Sequence, residues 1–550
     1  MKPISLFFSL FLCVILCACG PTPPESINDS KEVGAVASAH PLATEAGLEV
    51  LRNGGNAFDA AIAVAATLNV VEPMMSGIGG YGTTLIYDAK TQKIRFLNSS
   101  GKFPLATNSD LMRSPSPDFM KNRVGPKSIS TPGNLNAWAA MHKEYGQKEW
   151  SSLFDSAIRH AERGHEVSPF VAWMISFGFE DFSDYSKSFY GKNGQGLKAG
   201  DTLVQKDLAK TFQLIAKEGV RPFYHGSIAQ AIDQEMKAVG SFLALEDLQQ
   251  NEAEWWKPLK MEYRDYDVYT AALPANSFAA FVNLGLMKQI PAESLEHNSP
   301  EYLHLFAEMT KESYKARLAY SFDPDVQEAP LDSIFSEAVL SKMAAQLDRE
   351  KARPFVAPFS EESKNTTHFV VTDQWGNIVS ATQTLGNVFG SRIMVEGTGV
   401  WLNNSMAYST FEPKGNPMDA FPGRHKLSGD CPIIIMKDDQ PWAALGSPGG
   451  HTITQNVPQI IFNLIDFEMD MQAAIDAPKL SFIEPNRIRV DATLDSLIIK
   501  ALETKGHEVI TGRIGNAHGI KILRDTEGKI YGFETGVDTR SKDAAVLLDR

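Results

Sequence analysis

The apolar positions of the first hundred residues predict two helices followed by a hairpin. Residues Pro41–Arg52 carry apolar side chains at helical spacing, and two glycines end the pattern at 54 and 55. Residues Ala57–Val71 are almost wholly apolar, which is typical of a buried helix. Apolar runs at 84–88 and 94–98 then predict a β-hairpin.

The pattern changes about two-thirds of the way along the chain. Residues 135–290 are predicted to be mostly helical, with segments such as 150–163 and 204–218, and residues 353–364 form a polar, charged break. Short elements follow: strands at 367–373, 378–384, 432–437 and 442–445, a helix at 452–467, and strands near 488–490 and 521–524. Because both parts contribute strands, the pattern favours one layered α+β body over separate domains.

Composition excludes several classes of protein. The 550 residues are 43% hydrophobic and 21% charged, which is typical of a globular protein, and the net charge of −14 argues against a nucleic-acid partner. No apolar run beyond the N-terminal segment is long enough for a transmembrane helix.

The N-terminal segment predicts export. A lysine followed by an apolar run at 4–16 indicates a signal peptide over residues 1–18. The run ends in Leu-Cys-Ala-Cys-Gly, which resembles a bacterial lipobox, so Cys19 is the expected lipidation site and residues 19–31 a polar tether. A plain signal peptide is the alternative. We therefore expect an exported, periplasmic or cell-surface protein with a lipid anchor.

Cysteine usage predicts a body without disulfides. Cys13, Cys17 and Cys19 belong to the N-terminal segment, and Cys431 alone remains for the folded body. An exported protein without an intrachain disulfide has to be stabilised by its core, which this length permits.

The candidate chemistry centres on Asn365-Thr366-Thr367-His368, where a polar loop runs into an apolar strand. The motif fits an ordinary strand start. It also fits an internal cleavage site, after which Thr366 would carry its own nucleophile, the hydroxyl, and its own base, the α-amine. The pKa of an unperturbed α-amine is about 7.7–8.0, close to ambient pH, where a general base works best.

A second motif, Gly-Ser-Pro-Gly-Gly-His at 446–451, follows a predicted strand and leads into a predicted helix. Consecutive glycines in such a turn let backbone N–H groups converge on one point, which is what a developing oxyanion needs. An ordinary strand-to-helix turn is the alternative.

Other kinds of site find little support. The glycine-rich stretch 77–82 has neither the leading strand nor the Gly-Lys-Ser/Thr of a phosphate-binding loop, so a tight turn is the better interpretation. His368, His425 and His451 lack metal-ligand spacing, and there is no Gly-x-Ser-x-Gly elbow. We expect neither a metal nor a cofactor.

With these motifs, the chain resembles the γ-glutamyltransferase family (γ-glutamyltranspeptidase, glutathione hydrolase). The resemblance covers nearly all of the expected mature protein. It is carried by residues 35–82, by Ser-Thr-Pro-Gly at 130–133, and by the blocks TTHFVVTD-x-x-GN, TQTL-x-x-x-FG, LNN and GSPGG.

The resemblance implies an N-terminal-nucleophile αββα sandwich that cleaves itself after Asn365 into a large subunit (32–365) and a small catalytic subunit (366–550). It implies that Thr366 is the nucleophile, that Thr384 orients it, and that Gly449 and Gly450 form the oxyanion hole. The implied reaction is acyl transfer from a small-molecule γ-glutamyl amide to water or an amine through an acyl-enzyme.

The substrate pocket departs from the family pattern. Ser100 stands where the family has an arginine for the substrate α-carboxylate, and Lys102 replaces its charge but not its bidentate geometry. Gly386 stands in place of an asparagine. Ser405 and Tyr408 replace the glutamine and aspartate that hold the α-amino group. Of the family's serine pair, Ser428 is kept and the second position is Gly429.

Three functions therefore remain open at this stage. The first is hydrolysis or transfer of γ-glutamyl groups, as in glutathione. The second is an acylase acting on other amides, since most of the amino-acid clamp is altered. The third is a non-catalytic lipoprotein that keeps the fold as a binding module.

Overall fold

Two β-sheets packed face to face lie at the centre of the protein. The computed structural model describes residues 33–355, 365–483, 487–539 and 545–548, the last of these by backbone alone. The signal peptide, Cys19, the tether and most of the predicted break at 353–364 lie outside the described residues. In the part that is described, no helix is both long and apolar enough to cross a membrane.

The strands of the described residues follow in chain order. They are β1 (Gly34–Ser38), β2 (Tyr81–Asp88), β3 (Lys93–Ser99), β4 (His165–Glu166), β5 (Gly191–Lys192), β6 (Gln195–Gly196), β7 (Thr202–Leu203), β8 (Glu254–Trp256), β9 (Leu259–Tyr263), β10 (Tyr266–Thr270), β11 (Asn365–Asp373), β12 (Ile378–Gly386), β13 (Met394–Val395), β14 (Val400–Trp401), β15 (Ile433–Lys437), β16 (Gln440–Gly446), β17 (Leu480–Ile483), β18 (Arg487–Asp491), β19 (Glu508–Gly512), β20 (His518–Arg524), β21 (Ile530–Val537) and β22 (Ala545–Leu548).

The helices cluster before Asn365. They are α1 (Pro41–Arg52), α2 (Ala57–Val71), α3 (Phe119–Asn122), α4 (Asn134–Tyr145), α5 (Asp155–Arg163), α6 (Pro169–Gly178), α7 (Asp184–Tyr190), α8 (Lys206–Glu218), α9 (Arg221–Tyr224), α10 (Ser227–Val239), α11 (Leu245–Gln249), α12 (Phe278–Lys288), α13 (Pro300–Tyr320), α14 (Leu331–Ile334), α15 (Glu337–Ala345), α16 (Ile453–Ile465), α17 (Met471–Asp476) and α18 (Ser496–Thr504).

Each sheet contains strands from both predicted subunits. Among the described residues, the first sheet has the order β22-β1-β11-β12-β2-β3-β8 and the second β21-β20-β16-β15-β10-β9. Strand β11 thus lies between β1 and β12, and β12 pairs antiparallel with β2. Each sheet needs residues from both sides of Asn365, so the two parts form one body.

Period-two alternation of apolar residues creates four layers. On β11, Phe369 and Val371 face a helical core built on α1, α2 and α4, whereas Val370 faces the second sheet. On β15, Ile434 faces the first sheet, and its neighbours contact a second helical core built on α12, α13 and α16. Because both faces of both sheets are buried, the layers run helix, sheet, sheet, helix, as an αββα sandwich requires.

Most predicted elements are confirmed, and several strands were not predicted. Helices α1 and α2 have the predicted bounds, and a capping box between Asn56 and Asp59 starts α2. The stretch 135–290 is mostly helical, as predicted, and it also contains the strands β8, β9 and β10, which were not predicted. Strands β8 and β9 are edge strands, where a few residues complete a sheet built elsewhere in the chain.

Candidate active site

Thr366 lies at an irregularity in the first sheet. Asn365 is opposite Gly386 and Thr367 is opposite Gln383, so the register shifts at Thr366. The residue is buried. A break in strand pairing redirects a side chain and is common beside active sites.

The hydroxyl groups of Thr366 and Thr384 meet on one backbone carbonyl. Each donates a hydrogen bond to the Asn365 carbonyl oxygen, with an oxygen-to-oxygen distance of 2.6 Å in both cases. The Gly386 N–H donates to the Thr384 hydroxyl oxygen at 2.8 Å, which leaves the Thr384 proton for the carbonyl. The peptide bond predicted to be cleaved is therefore contacted by both threonines that sequence reasoning selected.

His368 connects the two sheets and is not placed as a catalytic base. Its Nδ1 lies 2.9 Å from the Thr382 hydroxyl, and the ring packs against Gly446, where a Cβ would overlap it. Burial, with His518 nearby, lowers the pKa of His368 well below its ordinary value. A neutral imidazole therefore separates the nucleophile strand β11 from β16, which leads to the glycine turn.

The turn at Gly449 and Gly450 has the backbone that glycine permits. Its φ angles are +133° and +61°. A 3₁₀ turn, Gly450–Thr452, leads into α16, and the first N–H groups of a helix lack intrahelical partners. A Cβ on Gly429 would lie 3.0 Å from the Gly450 carbonyl oxygen and 3.8 Å from the Tyr408 ring. The turn therefore lies beside Tyr408.

Three of the predicted substrate-binding residues gather near this turn. Ser405, Tyr408 and Ser428 are all buried. The Ser405 hydroxyl has no hydrogen-bond partner in the described part of the chain, and the Tyr408 ring stacks edge-on against His451 with centroids 5.4 Å apart. Buried hydroxyls without partners are rare unless they serve a ligand or water.

Ser100 and Lys102 are engaged elsewhere. The Ser100 hydroxyl donates to Asn98 Oδ1 at 2.7 Å. Lys102 is half-exposed and pairs with Glu254 at 3.4 Å, at the edge of a cavity of about 260 Å³ that also contains His425. Neither side chain supplies the missing arginine in this arrangement.

Asn403 joins three of the sequence blocks, and sequence reasoning missed its role. Its Oδ1 accepts from the Ser130 N–H, the Ser130 hydroxyl and the Ser405 N–H at 3.1–3.2 Å. Its Nδ2 donates to the carbonyls of Gly79 and Ser130 at 3.0 Å. The shared LNN block was the available signal for this residue.

Two buried charged residues, Lys426 and Asp430, were also missed. Tyr81 relates them to the threonines, because it lies opposite Thr384 in the pairing of β2 with β12. Burial raises the pKa of Tyr81 well above its ordinary value, and Tyr408 and Asp430 raise it further. The Lys426 ammonium lies 3.5 Å from the centre of the Tyr81 ring. The sequence offered one signal for these two residues, because they flank the predicted substrate-binding residue Ser428.

His425 is the centre of an acidic cluster. Its Nδ1 lies 3.2 Å from carboxylate oxygens of Asp323 and Asp325, and its Nε2 lies 3.1 Å from Glu254. Burial alone would lower the pKa of His425, but the hydrogen bonds and charges of Asp323 and Glu254 raise it to about 9. His425 is therefore a structural cation.

Two groups of side chains in the described residues bring three metal-ligand atoms within 4.8 Å of one another. They are His304, Glu308 and His507, and Asp323, Asp325 and His425. In the first, His304 bonds His507 at 2.8 Å, and Glu308 bonds Lys311 at 2.6 Å. Internal hydrogen bonds and ion pairs therefore account for both groups, and the expectation of no metal stays a prediction.

Comparison with known proteins agrees with this geometry. A family model described as gamma-glutamyltranspeptidase matches residues 43–548. The glutathione hydrolase proenzyme of Bacillus subtilis (strain 168) is 32% identical over 96% of this chain and 94% of its own length. The acylase ACY 1 proenzyme of Pseudomonas sp. (strain SE83) is 31% identical over 87% of each chain.

A solved structure extends the comparison to the fold. Cephalosporin acylase from Bacillus halodurans superposes with a TM-score of 0.85 at 26% identity, covering 97% of this chain and 99% of that one. The predicted N-terminal-nucleophile hydrolase fold is confirmed. With matches over nearly its whole length, the chain belongs to the γ-glutamyltranspeptidase family of hydrolases and transferases.

Proposed function

We propose that this protein is an autoprocessed N-terminal-threonine acyltransferase and hydrolase that cleaves γ-glutamyl amides, passing the acyl group to water or an amine. The observation that carries the proposal is the pair of 2.6 Å hydrogen bonds from Thr366 and Thr384 to the Asn365 carbonyl oxygen. One hydroxyl belongs to the residue that would attack, and the other polarises the group that would be attacked.

Self-cleavage begins when the Thr366 Oγ attacks the carbonyl carbon of Asn365. The carbonyl oxygen gains negative charge, which the Thr384 hydroxyl stabilises by hydrogen bonding. The carbon–nitrogen bond then breaks, the nitrogen takes up a proton in place of the one lost by the hydroxyl, and an ester links Asn365 to Thr366. Water hydrolyses this ester, leaving an Asn365 carboxylate and a free Thr366 amine and hydroxyl.

Turnover uses the same hydroxyl with a new base. The freed α-amine, with an unperturbed pKa of about 7.7–8.0, accepts the hydroxyl proton as the oxygen attacks the substrate amide. The Gly449 and Gly450 amides stabilise the oxyanion, the α-ammonium gives its proton to the leaving nitrogen as the carbon–nitrogen bond breaks, and an acyl-threonine remains. Water or a second amine then attacks the acyl-threonine and regenerates the hydroxyl.

The substrate proposal has two versions. The γ-glutamyl version is supported by relatives that are named glutathione hydrolases, such as the Bacillus subtilis proenzyme. The acylase version is supported by the relative named acylase ACY 1 and by the altered pocket, in which the Ser100 hydroxyl bonds Asn98 and Lys102 pairs with Glu254. Losing charge-assisted contacts costs about 1.5–3 kcal/mol for each contact.

The proposal also includes the mature form of the protein. Cleavage after Asn365 leaves two subunits that stay associated, because β11 and β12 lie between strands of the large subunit in the first sheet. The Leu-Cys-Ala-Cys-Gly sequence supports export and lipidation at Cys19, and hence a membrane-anchored heterodimer outside the cytoplasm.

A denaturing gel tests the enzyme proposal. Purified wild-type protein is expected to give two fragments that meet at Asn365–Thr366, with Thr366 as the N-terminal residue of the smaller one by sequencing. Thr366→Ala is expected to give a single full-length band. A full-length wild-type band that stays uncleaved would support the non-catalytic binding module.

The substrate versions are separated by two anilides. A γ-glutamyl anilide carries the α-amino and α-carboxyl groups, whereas a glutaryl anilide has the same chain length without the amino group. A higher kcat/KM for the γ-glutamyl compound supports the first version. A preference for the glutaryl compound overturns it in favour of the acylase.

A further inference from the structure

Lys426 is a fully buried lysine whose ammonium group lacks a hydrogen-bond partner among the described residues. Lysine is almost never fully buried unless it is paired, because removing the charge from water is costly. The rings of Tyr81 and Tyr408, with centres 3.5 and 4.7 Å from the nitrogen, offset only part of that cost.

Asp430 is the opposite charge in the same region. It is buried, and its Oδ2 has no hydrogen-bond partner among the described residues. No hydrogen bond joins the Lys426 ammonium to Asp430 in that part of the chain. Burial raises the pKa of Asp430 and lowers that of Lys426, and each charge opposes the shift of the other. The two groups therefore influence each other without touching.

The backbone places Lys426 next to the altered arginine position. The Lys426 N–H donates to the Gly101 carbonyl at 3.1 Å, and the Phe103 N–H donates to the Arg424 carbonyl at 2.9 Å. Lys426 thus lies opposite Gly101, the residue that follows Ser100. Because Lys102 pairs with Glu254, the buried Lys426 is a second cation beside the segment in which Ser100 stands in place of the family's arginine.

Both residues lie close to the reaction centre. The Lys426 ammonium contacts the ring of Tyr81, and Tyr81 is the cross-strand neighbour of Thr384 in the pairing of β2 with β12. Asp430 directly follows Gly429, which packs against the Gly450 carbonyl of the glycine turn. The unpartnered Ser405 hydroxyl belongs to the same group of predicted pocket residues. Both charges are therefore positioned along the acyl side of the site.

We propose that Lys426 binds the α-carboxylate and Asp430 the α-amino group of the γ-glutamyl donor. This inference rests on the proposed function and selects its γ-glutamyl version. A zwitterionic amino-acid head supplies a partner for each buried charge and leaves the pocket neutral. A glutaryl group leaves Asp430 unpaired and adds a net negative charge, and a valeryl group leaves both residues unpaired.

Three anilides of equal acyl length test the inference: γ-glutamyl, glutaryl and valeryl 4-nitroanilide. We expect wild-type kcat/KM to fall at least about tenfold at each step of that series, because a site with buried polar groups rejects analogues that leave them unpaired. Equal kcat/KM values for the γ-glutamyl and valeryl compounds in the cleaved wild-type enzyme overturn the inference without any variant.

Two variants then assign the residues. Lys426→Met is expected to reduce the ratios of γ-glutamyl to valeryl and of glutaryl to valeryl kcat/KM at least about tenfold. Asp430→Asn is expected to bring the γ-glutamyl to glutaryl ratio close to one. Equal losses on all three substrates, in protein that still cleaves itself, overturn the assignment.

The gel separates this inference from the proposed function. Wild-type protein that is not cleaved, or that turns over none of the three anilides, contradicts the proposed function. Cleaved, active enzyme whose substrate ratios are the same in wild type and Lys426→Met contradicts this inference alone.

Discussion

The Thr384 hydroxyl donates a 2.6 Å hydrogen bond to the carbonyl oxygen of Asn365, across the pairing of β11 with β12. The carbonyl belongs to the peptide bond that Thr366 would attack. On the proposed mechanism, we therefore predict that Thr384 has a second role in the uncleaved chain, as a donor to the oxyanion of self-cleavage.

Thr384→Ala is expected to slow self-cleavage about 100-fold or more, because losing one donor to a developing oxyanion costs that much in comparable sites. Thr384→Ser keeps the hydroxyl and is the matched control. The measurement is the rate at which full-length protein converts to two bands after purification. Cleavage of Thr384→Ala at the wild-type rate would show that the hydrogen bond has no part in the reaction.

Gly446→Ala is expected to destabilise the protein, because the new methyl group would overlap the His368 ring. Overpacking of this kind costs about 1–3 kcal/mol and forces backbone shifts. Since Gly446 also precedes the glycine turn, self-cleavage should slow in the same variant. Thermal unfolding and the gel measure the two effects.

The control for that variant is Gly512→Ala, whose Cβ would meet only the flexible Arg489 side chain, at 3.3 Å. A double variant that adds His368→Ala should recover part of the loss, because it removes the ring that the methyl group meets. A Gly446→Ala protein as stable as Gly512→Ala would contradict the contact.

Short-range features of the site could be predicted from the sequence, and long-range ones could not. Thr366, Thr384 and the glycine turn each lie at the end of a strand that its own residues predict. Lys426 acquires its role from Gly101, a residue 325 positions away in the chain, whose carbonyl accepts its N–H. No local pattern carries that pairing.

Gly386 illustrates the same limit. The sequence shows that the family's asparagine side chain is missing here, and the structure shows that a side chain at this position would have no room. A Cβ at Gly386 would overlap Asn404 Oδ1, which accepts a hydrogen bond from the Asn387 N–H at 2.8 Å. The edge strands β8 and β9 were missed for a related reason, since an edge strand takes its place from the sheet that it joins.

His425 gives a pH dependence with a definite sign. In the folded protein the pKa of His425 is about 9, above the unfolded value of about 6.5. Its contribution to the free energy of unfolding is therefore complete below pH 6.5 and is lost as the pH rises to 9. The groups that face it are Asp323, Asp325 and Glu254, and Lys102 pairs with Glu254. The titration of His425 is expected to lower the free energy of unfolding by up to about 3 kcal/mol over this pH interval.

The measurement is the free energy of unfolding at pH 6.5 and pH 9 for wild type and His425→Gln. Wild type is expected to lose more stability over this interval, because the glutamine does not titrate. In Glu254→Gln, the free energy of unfolding should change less between pH 6.5 and pH 9 than in wild type, because one of the carboxylates that raise the pKa of His425 is removed. Identical slopes in wild type and His425→Gln would exclude a histidine that stays protonated above pH 6.5.

Asn403→Ala is expected to be among the most destabilising single substitutions near the site. The side chain bonds Ser130, Ser405 and Gly79, and its removal leaves buried backbone groups unpaired, each at about 1–3 kcal/mol. Asn251→Ala is the matched control, because its side-chain amide donates to the Pro132 carbonyl at a half-exposed position. Thermal unfolding should show a drop several times larger for Asn403→Ala, together with slower self-cleavage, because the loop that holds Ser405 loses its anchor. Equal decreases in the unfolding temperature of the two variants would mean that contacts other than those of Asn403 hold the three sequence blocks together.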